Sequence, residues 1–440
     1  MNSNSYNKEN DSAVFNAVKT KITTNLIYIL LLLVVIIGEV FVRDILFSIS
    51  TEVIIFLQQY LYFFSPFAKF FSFFGTEVGL VSVILISYNF LNNYQTLLLI
   101  ITALTSAYIG GVLKLIYISP RPFMVSQPLL ALTCEGGWGN PSNHALCSTC
   151  FYLSLYAIAI KPSRTLDNVK KTSILNFLIG FIIFIGFSRI FLGVHSINQV
   201  LYGCCLGVFL YYFLFNILEI NPTNSHELLN IIYSAKDYTI GILVLIILGL
   251  APYFTVKPDP VQVAEWDILV DQKCPGFPHA KKFEYESFMC IYGFSSIIPC
   301  ILGNCVEFFC IFQSDVPKWT RYNFEAVEDK ERNLIPIDIP EVDTKWNNTE
   351  PTPTLERIFI VIIVLCILMI PHILVSYSQS FIMIITIKTL LPVYLVGFLI
   401  FSYLKTLLTI CGCTNKTLFE EEKKVDIEQP SRLEMDRLEE

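Results

Sequence analysis

Three short stretches of this chain carry the residue types that phosphate chemistry needs. KLIYISPRP places Lys114 seven residues before Arg121, and GFSRIFLGVHSINQV places Arg189 six before His195. Between them, CEGGWGNPSNHALCST sets Ser142 and His144 at the start of an apolar run, behind a Gly-rich loop. If the helix carrying Lys114 runs on to about Ser119, seven residues is close to two turns, and both cations face one side. Pro120 and Pro122 then stop that helix and stiffen the backbone around Arg121. Asn140-Pro141-Ser142 is turn and N-cap chemistry, and a helix N-terminus offers unpaired N–H groups and partial positive charge to phosphate oxygens. Ser142 adds a hydroxyl, and His144 falls in the first turn. Arg189, in an apolar helix, needs an anionic partner, and a phosphate would serve. Gln199 follows His195 by four residues, so it can hydrogen-bond the imidazole and orient it.

Each stretch also has a plainer reading: a snorkelling Lys with an interfacial Arg, a capped helix with an incidental His, a cation at a helix end. Three cations, two histidines and a Gly/Ser helix start on one predicted membrane face outweigh those three readings together. No carboxylate cluster accompanies them, so no metal is expected. Cys147 and Cys150 have the C-x-x-C spacing but lie on an apolar helix. Most other cysteines, such as Cys204, Cys205, Cys290, Cys300 and Cys366, sit in apolar runs as small hydrophobes and form no disulfide framework.

The elements that hold these residues must be membrane spans. The chain is 54% hydrophobic and only 15% charged, too few charges to cover a soluble domain of 440 residues. Apolar runs approach the ~20 residues that cross a bilayer as a helix. No basic run suggests a nucleic-acid partner. The fold expected is an all-α polytopic membrane protein of about ten spans. Residues 1–23 read as a polar, flexible cytosolic N-terminus and 24–220 as a catalytic membrane core of about six spans. The first span starts near Asn25 as a retained signal anchor. Residues 45–72, broken by Glu52, Gln58, Gln59 and Pro66, read as an interfacial helix, with a further span as the alternative. Residues 221–313 hold additional spans and the loop 256–286. A hydrophilic loop follows at 314–356, then spans over 357–411 and an acidic tail over 412–440.

Lys161, Arg164, Lys170 and Lys171 in one short connection place it in the cytosol by the positive-inside rule, and Lys19 and Lys21 agree. Segments 117–143, 192–196 and 256–286 then open on the extracytosolic side, while 314–356 and the tail are cytosolic. That leaves the glycosylation pattern at Asn347-Asn348-Thr349 unused. Cys411 and Cys413, at the last span's cytosolic end, are either palmitoylation sites or ordinary thiols.

K-x6-R-P, P-S-x-H and S-R-x5-H, in this order, resemble the three signatures of the type 2 phosphatidic acid phosphatase (PAP2) superfamily. It includes lipid phosphate phosphatases, sphingosine-1-phosphate phosphatases, glucose-6-phosphatases and vanadium haloperoxidases. The resemblance covers roughly 76–210 and implies a metal-free phosphatase without cofactors. It implies that Lys114, Arg121, Arg189, Ser142 and the Asn143 N–H bind phosphate oxygens. His195 would attack phosphorus as nucleophile and His144 would protonate the leaving alkoxide as general acid. Two positions depart from the pattern: Asn143 stands where Gly is usual, and Gln199 where Asp is common.

YIGGVLK and SRIFLGVHSINQV are similar to sphingosine-1-phosphate phosphatases, whereas CEGGWGNPSNHA and Gln199 are more like glucose-6-phosphatase. Both resemblances imply an endoplasmic-reticulum membrane and a lumenal site. A lipid phosphate, of sphingoid-base or phosphatidate type, is favoured over a sugar phosphate. A non-catalytic phosphatase-like lipid-binding protein is the alternative of another class, but such proteins typically lose the catalytic His or Lys, and this one keeps them. A transporter is disfavoured because Glu307 alone makes no pathway. Oligomeric state is not legible.

Overall fold

The computed structural model describes residues 3–88, 90–224, 226–278, 282–306, 391–399 and 401. The loop 314–356, the spans begun at 357 and 381 except for a short piece, Asn347, Glu307, Cys411, Cys413 and the tail lie outside these residues.

The described residues form helices and their connections. α1 (Ser3–Tyr60) leads to α2 (Ser65–Phe73) and α3 (Glu77–Tyr88), then α4 (Asn93–Tyr117) and the single turn α5 (Pro122–Val125). α6 (Asn143–Leu155), α7 (Asn168–Phe191) and α8 (Ile197–Tyr212) complete the core. Beyond it come α9 (His226–Tyr233), α10 (Ala235–Thr255), α11 (Pro260–Lys273), α12 (Tyr285–Gly293), α13 (Ile297–Val306) and α14 (Leu391–Leu399). Seven helices are long and apolar enough to cross a membrane, or eight if α2 and α3, bent by 55°, make one broken span. The chain is thus an all-helical, polytopic membrane protein among its described residues.

The sequence reading differs from the structure near the N-terminus. α1 is continuous from Ser3 to Tyr60, so residues 3–23 are helical rather than flexible and 45–60 prolong the first span. Gln58 does not break it because the helix meets protein there: its Nε2 donates to Leu130 O (3.0 Å) and Phe191 O (3.1 Å), while Glu52 and Gln59 lie on the exposed side. A polar side chain met by such partners costs a helix little.

α6 is the central element, packed against α4 on one side and α8 on the other. The contact with α8 is close because Gly203 and Gly207 face α6. A Cβ on either would stand 2.7 Å from a backbone carbonyl, of Ser142 and Leu146 respectively. Small residues let helix backbones approach in this way inside membranes. α12 lies along α4, so the segment beyond the core joins its wall. The end of α4, the start of α6, the end of α7 and the start of α8 all fall at one end of the bundle, as the alternation of antiparallel spans requires.

Candidate active site

Asp167 caps α7 and Ser142 caps α6, each accepting from an N–H three residues on. The α6 cap leaves a helix N-terminus at the bundle end where the cations gather, which suits an oxyanion. Lys114, Arg121 and Arg189 are 0%, 1% and 0% exposed, so each needs anionic or polar partners inside the protein.

Lys114 and Arg121 meet, but not by the expected route. α4 ends at Tyr117, and Ile118 turns the chain with φ 45°, a conformation β-branched residues rarely adopt. The cations still converge because both reach Glu286: its Oε2 lies 3.3 Å from Lys114 Nζ and 2.6 Å from Arg121 Nη2. Lys114 also donates to Trp138 O. Arg121 donates from Nε to Gly137 O (2.9 Å) and from Nη2 to Gly136 O (2.6 Å), which ties the Gly-rich loop to the cation. Arg189 donates to Ser72 Oγ and ion-pairs Glu135, whose Oε2 is 3.6 Å from Arg121 Nη1.

Two carboxylates, Glu135 and Glu286, therefore stand among the cations, each from a different segment, where the sequence reading notes only that no carboxylate cluster lies there. Burial pushes the Glu135 carboxyl up, but Arg189, with His144 and Arg121, more than offsets this and holds it at about 2. Glu135 is thus ionised at any working pH.

His195 sits between α7 and α8. Its Nδ1 lies 2.9 Å from Gly139 O and 3.2 Å from Gln199 Oε1, both of which can only accept. Nδ1 therefore carries the proton, and Nε2 presents a lone pair 2.9 Å from Arg121 Nη1. Gln199 thus reaches the imidazole from four residues on. It also accepts from Ser196 N (3.2 Å) and donates to Pro120 O (2.9 Å). Gly139 O is the closer orienting acceptor, and a backbone carbonyl in a loop leaves no side-chain signal in sequence.

Ser142 donates its N–H to Gln199 O at 3.0 Å, joining the two histidine loops, while its hydroxyl accepts from Ala145 N at 3.5 Å. The Asn143 amide donates to Glu286 Oε1 (3.1 Å) and Cys290 Sγ (3.3 Å). His144 is half-buried beside Gly75, and its Nε2 has no hydrogen-bond partner in the protein. A buried, unpartnered ring nitrogen beside a cation cluster is available to a ligand. All eight sequence-selected residues lie at this end of the bundle, and the polar contacts above join seven of them, with His144 beside Glu135.

Glu39, Glu135 and Glu286 were missed. Glu39, mid-span in α1, had a signal, since an ionisable residue inside an apolar run is a default site candidate. Its Oε1 accepts from Asn140 Nδ2 and Asn198 Nδ2, both at 2.8 Å, which fastens the two loops from behind.

The loop between α10 and α12 closes the front. A Cys134–Cys274 disulfide joins it to the Gly-rich loop, where the cysteine reading gave no pairing. Trp138 packs on Phe283 (5.1 Å between centroids), and Gly137 N donates to Lys282 O (2.9 Å). Lys282 is held in turn by Asp267 and Asp271, each at 2.7 Å.

Residues 95–222 match the family model of the PAP2 superfamily, a range that holds all eight sequence-selected residues. No curated protein matches the chain. Among solved structures it is similar to the first transmembrane PAP2 type phosphatidylglycerolphosphate phosphatase from Bacillus subtilis. That match has 20% identity, covers 44% of this chain and 95% of that one, and has a TM-score of 0.39. The chain carries a PAP2 superfamily domain over residues 95–222 and, by that domain, is a phosphatase.

Proposed function

We propose that the protein hydrolyses a phosphomonoester of a lipid, of sphingoid-base or phosphatidate type, through a phosphohistidine on His195. The observation that carries this is the ring of His195: Nδ1 is fixed on Gly139 O while Nε2 points its lone pair at Arg121. A phosphoryl group drawn to Arg121, Lys114 and Arg189 would stand in front of that lone pair. Nε2 would attack phosphorus as the ester P–O bond breaks, and His144, protonated, would give its proton to the departing alkoxide. Water, deprotonated by His144, would then cleave the P–N bond and release phosphate. The three cations, with the α6 N-terminus at Ser142 and Asn143, supply the positive charge that balances the transferring group. No step requires a metal.

The burial of Lys114, Arg121, Arg189 and His195 supports a lipid substrate. An alkyl phosphate can reach such a site between helices from the bilayer, whereas a sugar phosphate needs an open aqueous mouth. The Cys134–Cys274 disulfide supports an extracytosolic site, since it joins two segments that the positive-inside rule puts on that side and such bonds persist in oxidising compartments. A lumenal site in the endoplasmic reticulum fits that orientation.

The test is phosphate release by the purified full chain in EDTA from sphingoid-base phosphate, phosphatidate and glucose-6-phosphate side by side. Turnover of a lipid phosphate above the sugar phosphate is expected. Preference for glucose-6-phosphate overturns the substrate assignment, loss of all turnover in EDTA overturns the metal-free mechanism, and no release from any ester with or without EDTA leaves a lipid-binding protein.

A further inference from the structure

The three cations that would bind phosphate are not left to solvent, because a carboxylate from outside the PAP2 residues is seated on two of them. Glu286 lies in the first turn of the helix that follows the disulfide-anchored loop, beyond the matched range 95–222. Its Oε2 lies 2.6 Å from Arg121 Nη2 and 3.3 Å from Lys114 Nζ, while Oε1 accepts from Asn143 Nδ2 at 3.1 Å. One oxygen therefore holds the cations, and the other is tethered to the first residue of α6. A phosphate oxygen bound by Lys114 and Arg121 needs the place that Oε2 fills.

We propose that Glu286 is a built-in occupant of the phosphate subsite, displaced when an ester binds and returning as inorganic phosphate leaves. The inference rests on reading this cluster as the phosphate site. Its physical basis is twofold. Without an anion, two buried cations side by side would be destabilising, and Glu286 relieves that between turnovers. A site with three buried cations also binds its anionic product as well as its substrate, and uniform binding of that kind slows release. A carboxylate held on α12 competes at high effective concentration, because its backbone is fixed along α4 and by the packing of Phe283 on Trp138. Asn143, where the superfamily pattern has Gly, is the residue that tethers it.

The experiment measures binding of inorganic phosphate to the purified full chain by thermal stabilisation, which needs no turnover. Glu286→Gln keeps the shape and the Asn143 contact but removes the charge. It should bind phosphate about tenfold more tightly than the natural protein. In phosphate-release assays the same variant should show product inhibition at correspondingly lower phosphate. Unchanged or weaker phosphate binding by Glu286→Gln overturns the proposal. If that variant does not melt cooperatively, Glu286→Asp carries the test, since its shorter side chain withdraws from Arg121: tighter phosphate binding supports displacement, and equal or weaker binding overturns it. Failure of the natural protein to hydrolyse any phosphomonoester would sink the proposed function yet leave this binding comparison decisive.

Discussion

Arg121 Nη1 lies 2.9 Å from His195 Nε2, on the opposite side of the imidazole from Gly139 O. Since a guanidinium only donates, that nitrogen keeps its lone pair, and protonating it would set two cations against each other. Burial, then Arg121, Lys114, Arg189 and His144, hold the His195 pKa well below the ordinary 6.5.

The first prediction concerns pH. The proposed nucleophile is the neutral ring, so kcat/KM should not fall as pH drops from about 7.5 through about 6.5 on account of His195. Because the folded pKa is depressed, the stability this ring contributes is present above about 6.5 and is lost as pH falls towards the folded value. A profile of phosphate release against pH checks it, and an acid limb centred near 6.5 would mean that His195 titrates like a free histidine.

The second concerns Asn143 and Gly110. A Cβ added at Gly110 would meet Asn143 Oδ1, so Gly110→Ala must push α4 away from α6, and with it Lys114 away from Ser142. Gly110→Ala should lower kcat/KM by about tenfold or more, and adding Asn143→Gly should recover most of that loss. Rates of the two single variants and the double variant, compared with the natural protein, give the coupling. An additive outcome would show that the two residues do not act on each other.

The third concerns Glu39. Glu39→Ala strands two buried amide donors, Asn140 and Asn198, at about 1–3 kcal/mol each. Thermal stability and kcat should both fall, kcat more than KM changes, because the loops bearing Ser142 and His195 lose their common anchor. Glu39→Gln retains a carbonyl acceptor and should lose less on both measures. Equal losses for the two variants would show that the charge, and not the acceptor, holds the loops.

The fourth concerns the Cys134–Cys274 bond. A membrane-impermeant maleimide should label neither cysteine until the protein is reduced, and reduction should lower phosphate release by freeing the loop that carries Lys282 and Phe283. Loss of such a bond typically costs about 2–5 kcal/mol. Labelling without reduction, followed by mass spectrometry of the modified peptides, would refute the pairing.

How much of this was legible depends on the range of the interaction. Ser142, His144, His195 and Gln199 could be read because their spacing is local: a cap, a first helical turn and an i to i+4 pair. Lys114, Arg121 and Arg189 could be read because a cation at the end of an apolar run stands out; the helix expected to join Lys114 to Arg121 ends at Tyr117. Alternating apolar runs likewise gave the bundle. Glu135 and Glu286 could not be read as site residues, since their partners Arg189 and Arg121 lie 54 and 165 positions away. Glu39 meets Asn140 across 101. The continuation of α1 through Gln58 was hidden for the same reason, because Gln58 is satisfied by Leu130 and Phe191, 72 and 133 positions away. Polarity in an apolar run reads as a break only when no partner is in sight.

The most direct test of the central claim is to trap the covalent intermediate. A radiolabelled phosphomonoester is mixed with the full chain, quenched in alkali, where phosphohistidine survives, and the protein is counted. Label on the natural protein, on a peptide containing His195, and none on His195→Ala is the result expected. Continued turnover with no label on the natural protein, or label and turnover retained in His195→Ala, would contradict the assignment of His195 as the group that takes the phosphoryl.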